Sequence, residues 1–143
     1  MNPSKEIKRL ESEDVIVTGY VSDIRAYIAH ASVSVAPLRI AKGIQNKVLE
    51  AMAMGTPVVA TSAANQGINA QDRQEIMIAD DPQKFADAVV ELLRTRDLRE
   101  EIAKNAEALV RKNFEWDTNL KNLIDIISLV QEKSELKEVT YSV

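Results

Sequence analysis

Glu50 and its neighbours carry the most chemical promise in this chain of 143 residues. Asn46 and Glu50 stand four apart, so a helix puts them on one face, with Ala53 beside them. Ile44, Val48, Ala51 and Met52 recur at helical spacing and make a separate apolar face. A carboxylate among small residues, just after the glycine-bearing segment Pro37–Gly43, suggests a site for a polar small molecule. The competing reading makes Glu50 an exposed helix glutamate and Lys47 its helix neighbour, as most charged residues are. Arg39, Lys42 and Lys47 are the nearby cations. For Arg39 and Lys42, a solvated loop charge is an equal alternative. Asp80-Asp81 is a paired carboxylate, but Pro82 follows it, and there the pair reads as a helix cap. His30 is the lone histidine, between two alanines on an expected helix, and reads as structural.

These residues need elements to hold them. Gly43 precedes the central helix and Gly55 follows it, where a left-handed cap is cheap for glycine. Pro57 forbids the helix to continue, and Val58-Val59-Ala60 reads as a strand buried on both sides. Upstream, Ser4 to about Ser12 reads as a helix end with Ile7 and Leu10 facing a core. Val15-Ile16-Val17-Thr18, ended by Gly19, reads as a strand. Ser22 is the expected cap of a helix carrying Ile24, Tyr27, Ile28 and Ala31, with Asp23 at its positive end. Val33–Ala36 is the second expected strand. Ser62–Arg73 reads as a long loop with room for one helical turn, and Glu75–Ala79 as a fourth, short strand. Asp80-Asp81-Pro82 starts a helix with Phe85, Val89, Leu92 and Leu93 as its stripe. Asp97 opens the next, with Leu98, Ile102 and Leu109, and Trp116-Asp117 begins a last one. The charged tail 131–143 lacks a stripe and is expected to fray.

Strands alternating with helices imply an α/β fold: a Rossmann-like α/β/α arrangement of three layers around a parallel sheet. Ligands of such sheets bind beyond the carboxyl ends of the strands. That rule gathers Gly19–Ser22, Pro37–Gly43, Thr61–Gly67 and Ala79–Asp81 at one edge, where glycine could admit a ligand close to backbone. The central helix points its N-terminus there, and its unbonded N–H groups suit an anion near Gly43-Ile44-Gln45.

Composition narrows the function classes. The formal net charge of −4 and the two Phe and one Trp argue against a nucleic-acid surface. There is no cysteine, so disulfides and thiolate metal sites are excluded, and a cytoplasmic protein is the default. A single histidine excludes multi-histidine metal sites. No apolar run is long enough to span a bilayer, and Met-Asn-Pro-Ser-Lys-Glu has no signal-peptide core. The dinucleotide glycine fingerprint, the Gly-Lys-Ser/Thr phosphate loop and serine-nucleophile motifs are absent.

The string Glu50-Ala51-Met52-Ala53-Met54-Gly55-Thr56-Pro57-Val58-Val59-Ala60-Thr61 resembles the nucleotide-sugar signature of the retaining GT-B glycosyltransferases of family 4 (group 1). That signature is a Glu, seven residues, then Glu-Ala-Met-Ala-x-Gly-x-Pro-Val-Val-Ala-Thr. Gly43-Ile44-Gln45-Asn46-Lys47 is similar to the branch of exopolysaccharide-cluster sugar transferases. Gly19-Tyr20-Val21 resembles the family's Gly-x-Val turn, whose backbone lies against the nucleotide base, and Phe114-Glu115-Trp116 its Phe-x-Trp element before the closing helix. The resemblance implies that Glu50 holds the donor's ribose hydroxyls, a task suited to a carboxylate that accepts two hydrogen bonds. It implies that the loop at Gly43-Ile44, with Gln45, Asn46 and Lys47, lies beside the donor sugar and pyrophosphate. The place of the family's first Glu falls at Lys42, which cannot accept a hydrogen bond but could meet a phosphate or an acidic sugar.

Residues 1–130 are therefore expected to be a C-terminal, donor-binding GT-B domain, truncated on its N-terminal side, with 131–143 as a tail. The family's pyrophosphate-binding Arg and Lys and its N-terminal acceptor domain are expected on a part not included in these residues. The implied activity is transfer of a sugar from a nucleotide-diphosphate sugar to a glycan or lipid-linked acceptor in envelope or exopolysaccharide synthesis. No metal or other cofactor is expected, no catalytic residue is assigned, and the chain alone is expected to be inactive. Expected partners are the nucleotide sugar, the acceptor domain, a peripheral membrane surface at the inner face and a second copy of the chain, with no nucleic acid. The alternatives are a nucleotide-binding module without turnover and an inert interaction domain that kept the fold.

Overall fold

The computed structural model describes residues 3–114. The elements in order are α1 (Lys5–Lys8), α2 (Arg25–His30), β1 (Ser34–Ala36), α3 (Asn46–Ala53), β2 (Val58–Ala60), α4 (Ser62–Asn65), β3 (Met77–Ile78), α5 (Pro82–Arg94) and α6 (Arg96–Phe114). The strands form a parallel sheet in the order β1-β2-β3. Ser34, Val35 and Ala36 pair with Val58, Val59 and Ala60, and Val59 and Ala60 pair with Met77 and Ile78.

Alternation along β2 builds the core on both sides, as the apolar run Val58–Ala60 implies. Val58 and Ala60 pack with Val48, Ala51 and Met52 of α3 and with Ala106 of α6. Val59 faces the other way, onto Ala88 and Leu92 of α5 and Ile102 of α6. The helix α6 thus enters both clusters. Gly55 ends α3 with φ +68, and Thr56 then donates its hydroxyl to the Ile28 carbonyl at 2.9 Å, tying α2 to the turn. Asp81 caps α5 by accepting from the N–H groups of Gln83 and Lys84, both at 3.0 Å, with Pro82 in the first turn.

The architecture agrees with the expected α/β class, and several local expectations are corrected. Val15–Thr18 forms no strand: a strand is held by a neighbour, none pairs with it, and Ile16 is 80% exposed. Ser22 does not cap α2. The helix starts at Arg25 after Ile24, whose backbone is already helical, and Asp23 instead accepts from the Arg25 N–H at 2.9 Å. Ile44 lies before α3, half exposed, and is not part of its buried stripe. Ile7, Leu10, Ile24, Tyr27 and Leu93 were expected to face a core and are exposed. The helix expected from Trp116, most of the Phe114-Glu115-Trp116 element and the tail lie outside the described residues.

Candidate functional site

All three strands deliver their carboxyl ends to one edge, and the loops after them form a cleft of about 770 Å³. Pro37, Leu38 and Arg39 follow β1, Thr61 and Ala63 follow β2, and Asp80, Pro82 and Phe85 follow β3. Three of the four loops that the strand-edge rule gathers therefore do meet. The fourth, Gly19–Ser22, does not line this cleft. Thr61 secures the edge from beneath. It is buried, donates its hydroxyl to the Leu38 carbonyl at 2.6 Å and accepts from the Ala64 N–H at 3.3 Å. Asn65, also buried, exchanges two hydrogen bonds with the Ala70 backbone and closes the loop that follows α4.

Asp80 is not part of the α5 cap, contrary to the reading of Asp80-Asp81 as one capping pair. Its carboxylate accepts from the Ser62 hydroxyl at 2.6 Å and the Ser62 N–H at 2.8 Å. The hydroxyl first, and the backbone N–H second, hold its pKa below the usual aspartate value. Sequence reading missed this role, because the partner lies eighteen residues away and only the sheet register brings the β2 and β3 loops together.

The central loop packs more closely than glycine count suggests. Gly43 has φ +66 and is exposed. A methyl group at Gly67 would lie 2.7 Å from the carbonyl C and O of Gly43 and from the N of Ile44. Gly67 thus admits the Gly43-Ile44 backbone, where sequence reasoning reserved the space for a ligand. The Gln45 side chain donates to the Lys42 and Gly43 carbonyls, each at 3.3 Å, and braces the same turn. The next residues, Asn46 and Lys47, open α3, and no group among the described residues accepts from their N–H groups. Lys42, Asn46 and Lys47 are exposed beside that helix end.

Glu50 lies one turn further along α3 and opens onto a second cleft of about 520 Å³. Its walls are Ser22, Asp23, Ile24 and Arg25 on one side and Ala53 and Met54 on the other. Asp23 and Arg25 are joined there by a forked ion pair at 2.9 Å. The guanidinium, then the Arg25 N–H, lower the Asp23 pKa. The Glu50 carboxylate has no partner among the described residues. The structure thus brings Glu50 to the start of α2, and not to Gly19-Tyr20-Val21. Gly19, with φ +66, lines a separate shallow groove against Pro3 and Ile7, Tyr20 is 77% exposed, and Val21 is half-buried.

The described residues contain no group of three or more His, Cys, Asp or Glu able to hold a metal ion. Nor does any described helix have the length and apolarity to cross a membrane.

Three comparisons relate the chain to known proteins. The family model described as glycosyl transferases group 1 matches residues 2–95. A D-inositol 3-phosphate glycosyltransferase of Salinispora tropica is 40% identical over 82 residues, which are 54% of this chain and 16% of that protein. The crystal structure of the C-terminal domain of a glycosyl transferase group 1 family protein (LpcC) from Francisella tularensis has a TM-score of 0.62 at 25% identity, covering 68% of this chain and 52% of that one. The chain thus spans a small part of the curated relative and about half of the solved domain.

Proposed function

The chain belongs to the glycosyl transferases of group 1, and we propose that it binds the nucleotide-diphosphate sugar donor of a retaining, family 4 type transferase. Its parallel α/β fold is that of the C-terminal domain of a GT-B glycosyltransferase. The observation that carries the proposal is Glu50. It is an unpartnered carboxylate on a nucleoside-sized cleft, one turn from a helix end that still has N–H groups to offer. A ribose diol would give two hydrogen bonds to that carboxylate. The diphosphate would lie towards Gly43, Ile44, Gln45, Asn46 and Lys47, where backbone N–H groups and the positive helix end favour anions. Lys42 and Lys47 add positive charge at this end. The Asp23–Arg25 pair lies on the wall that a base attached to that ribose would meet.

Catalysis in this reading is positioning and stabilisation of the leaving diphosphate, with no protein nucleophile and no metal. The transferred group is a hexose, the acceptor a glycan or lipid-linked sugar, and the setting polysaccharide synthesis on the cytoplasmic side of a membrane. The acceptor domain belongs to another part of the enzyme, so the 143-residue chain binds a nucleotide weakly, has surface available for dimer formation and transfers nothing by itself. Lys42 in place of the family's first Glu favours a second reading, an inert interaction domain that kept the fold and lost the ligand.

Calorimetric titration with UDP, GDP and ADP, together with assays for nucleotide release from sugar donors, tests both readings. One nucleotide should bind, and Glu50→Gln should weaken it about 10-fold or more, since charge-assisted hydrogen bonds contribute roughly 1.5–3 kcal/mol each. An unchanged affinity in a folded Glu50→Gln protein would remove the donor assignment. Tight binding of one nucleotide excludes the inert-domain reading.

A further inference from the structure

We propose that the cleft at the carboxyl edge of the sheet, separate from the Glu50 cleft, is a carbohydrate site for a pyranose that carries an anionic group, a carboxylate or a phosphate. Its volume of about 770 Å³ lies within the range of small-molecule pockets, roughly 300–1,000 Å³. The walls have the three features that a charged sugar needs. Phe85, with Pro37 and Pro82, presents apolar surface on which the C–H face of a ring can rest. Phe85 is half-buried and packed against the Val59 cluster, so the surface is firmly held.

Asp80 supplies acceptors. Each of its oxygens takes one bond from Ser62, which fixes the carboxylate's orientation and leaves lone pairs for two ring hydroxyls. A carboxylate so held needs no reorganisation to receive a diol. Arg39 supplies the third feature. It lines the same cleft, is exposed, and has no hydrogen-bond or ion-pair partner among the described residues. Asp80 is already engaged and Arg39 is not, so the unmet demand in the cleft is for an anion. A guanidinium fork suits a carboxylate or a phosphate.

The site also differs from the nucleotide cleft in what surrounds it. Glu50 and the start of α2 line one cleft, and the loops after β1, β2 and β3 line the other, with no residue in common. A glycan held here would be an acceptor-side or product sugar of the transferase. That role rests on the proposed function; the existence of the site does not.

The test is nuclear magnetic resonance titration of the 143-residue chain with glucuronic acid and with glucose 6-phosphate, and glucose as the uncharged control. Amide shifts should move at Arg39, Ser62, Asp80 and Phe85 for at least one charged sugar, at lower concentration than for glucose. Glucuronic acid alone identifies a carboxylate site, and glucose 6-phosphate alone a phosphate site. Arg39→Gln should abolish the preference for the charged sugar. Asp80→Asn, which can still accept from Ser62, should weaken both sugars at least 10-fold while leaving nucleotide affinity intact. Glu50→Gln should do the converse. The proposal is overturned if no charged sugar perturbs these residues up to 50 millimolar, roughly the weakest binding that such titration follows. It is equally overturned if the shifts persist in folded Arg39→Gln and Asp80→Asn proteins or disappear in Glu50→Gln.

Discussion

Gly67 and Gly43 touch, yet for opposite reasons each must be glycine. Gly43 needs its left-handed backbone, but a methyl group there would meet nothing within 4 Å. Gly67 has no such backbone demand, but its methyl group would strike the Gly43 carbonyl and the Ile44 nitrogen at 2.7 Å. Those neighbours are backbone atoms and cannot rotate away. Gly67→Ala should therefore destabilise the chain by about 1–3 kcal/mol, the usual cost of overpacking. Gly43→Ala should cost only the left-handed conformation, about 1–2 kcal/mol. The two differ in what they move: Gly67→Ala should shift the amide resonances of both loops, Gly43→Ala chiefly those of its own turn. Urea unfolding and an amide spectrum check both, and a Gly67→Ala protein with native stability and spectrum would show that the contact is not tight in solution. At this scale the sequence was legible where chemistry is local. The left-handed turn at Gly43 and the cap Asp81 follow from local spacing. The Gly67 contact and the Ser62–Asp80 pair do not, since they depend on which loops the register of β2 sets side by side.

At the scale of elements, legibility follows burial. The helices α3, α5 and α6 and the strand β2 are recoverable because each buries a periodic face. Val48, Ala51 and Met52 make the stripe of α3, and Leu92 and Ile102 those of α5 and α6. Val15–Thr18 has the β-branched composition of a strand and is not one, because composition cannot supply the neighbour that a ladder requires. The start of α5 is the most local of these features: Asp81 accepts from Gln83 and Lys84, and Pro82 presets the first turn. Asp81→Ala should cost about 1 kcal/mol, the typical value for a lost cap. Because Pro82 and Phe85 also line the carboxyl-edge cleft, fraying of this first turn should loosen that wall as well. Hydrogen exchange should quicken at Gln83 and Lys84 in the variant while the α3 amides keep their protection. Equal acceleration in both helices would mean that the cap supports the whole molecule and not one helix end.

For the whole molecule, the ion pairs and carboxylate bonds predict how stability depends on pH. Asp23, Asp80 and Glu91 all have depressed pKa values in the fold. Arg25 holds the first, Ser62 the second, and Arg73 the third through a two-pronged pair that links the loop before β3 to α5. A carboxylate whose folded pKa lies below its unfolded value stabilises the fold above that unfolded value and loses the contribution as pH falls through the folded one. The window therefore opens near the ordinary carboxylate values of 3.8 for Asp and 4.5 for Glu and extends downward. Asp23 and Asp80 are exposed and Glu91 is partly so, which means that each contributes little, and salt screens part of it. Their sum should appear as a melting temperature that is flat from about pH 7 to pH 5 and falls below about pH 4. Glu91→Gln removes one titrating group, and the Arg73 bridge with it. The variant should melt somewhat lower than the parent at pH 7 and the two should converge near pH 2, where the parent's carboxylates are protonated as well. A constant gap between the two curves from pH 7 to pH 2 would mean that Glu91 acts through packing on Arg73, and that its charge contributes nothing to the fold.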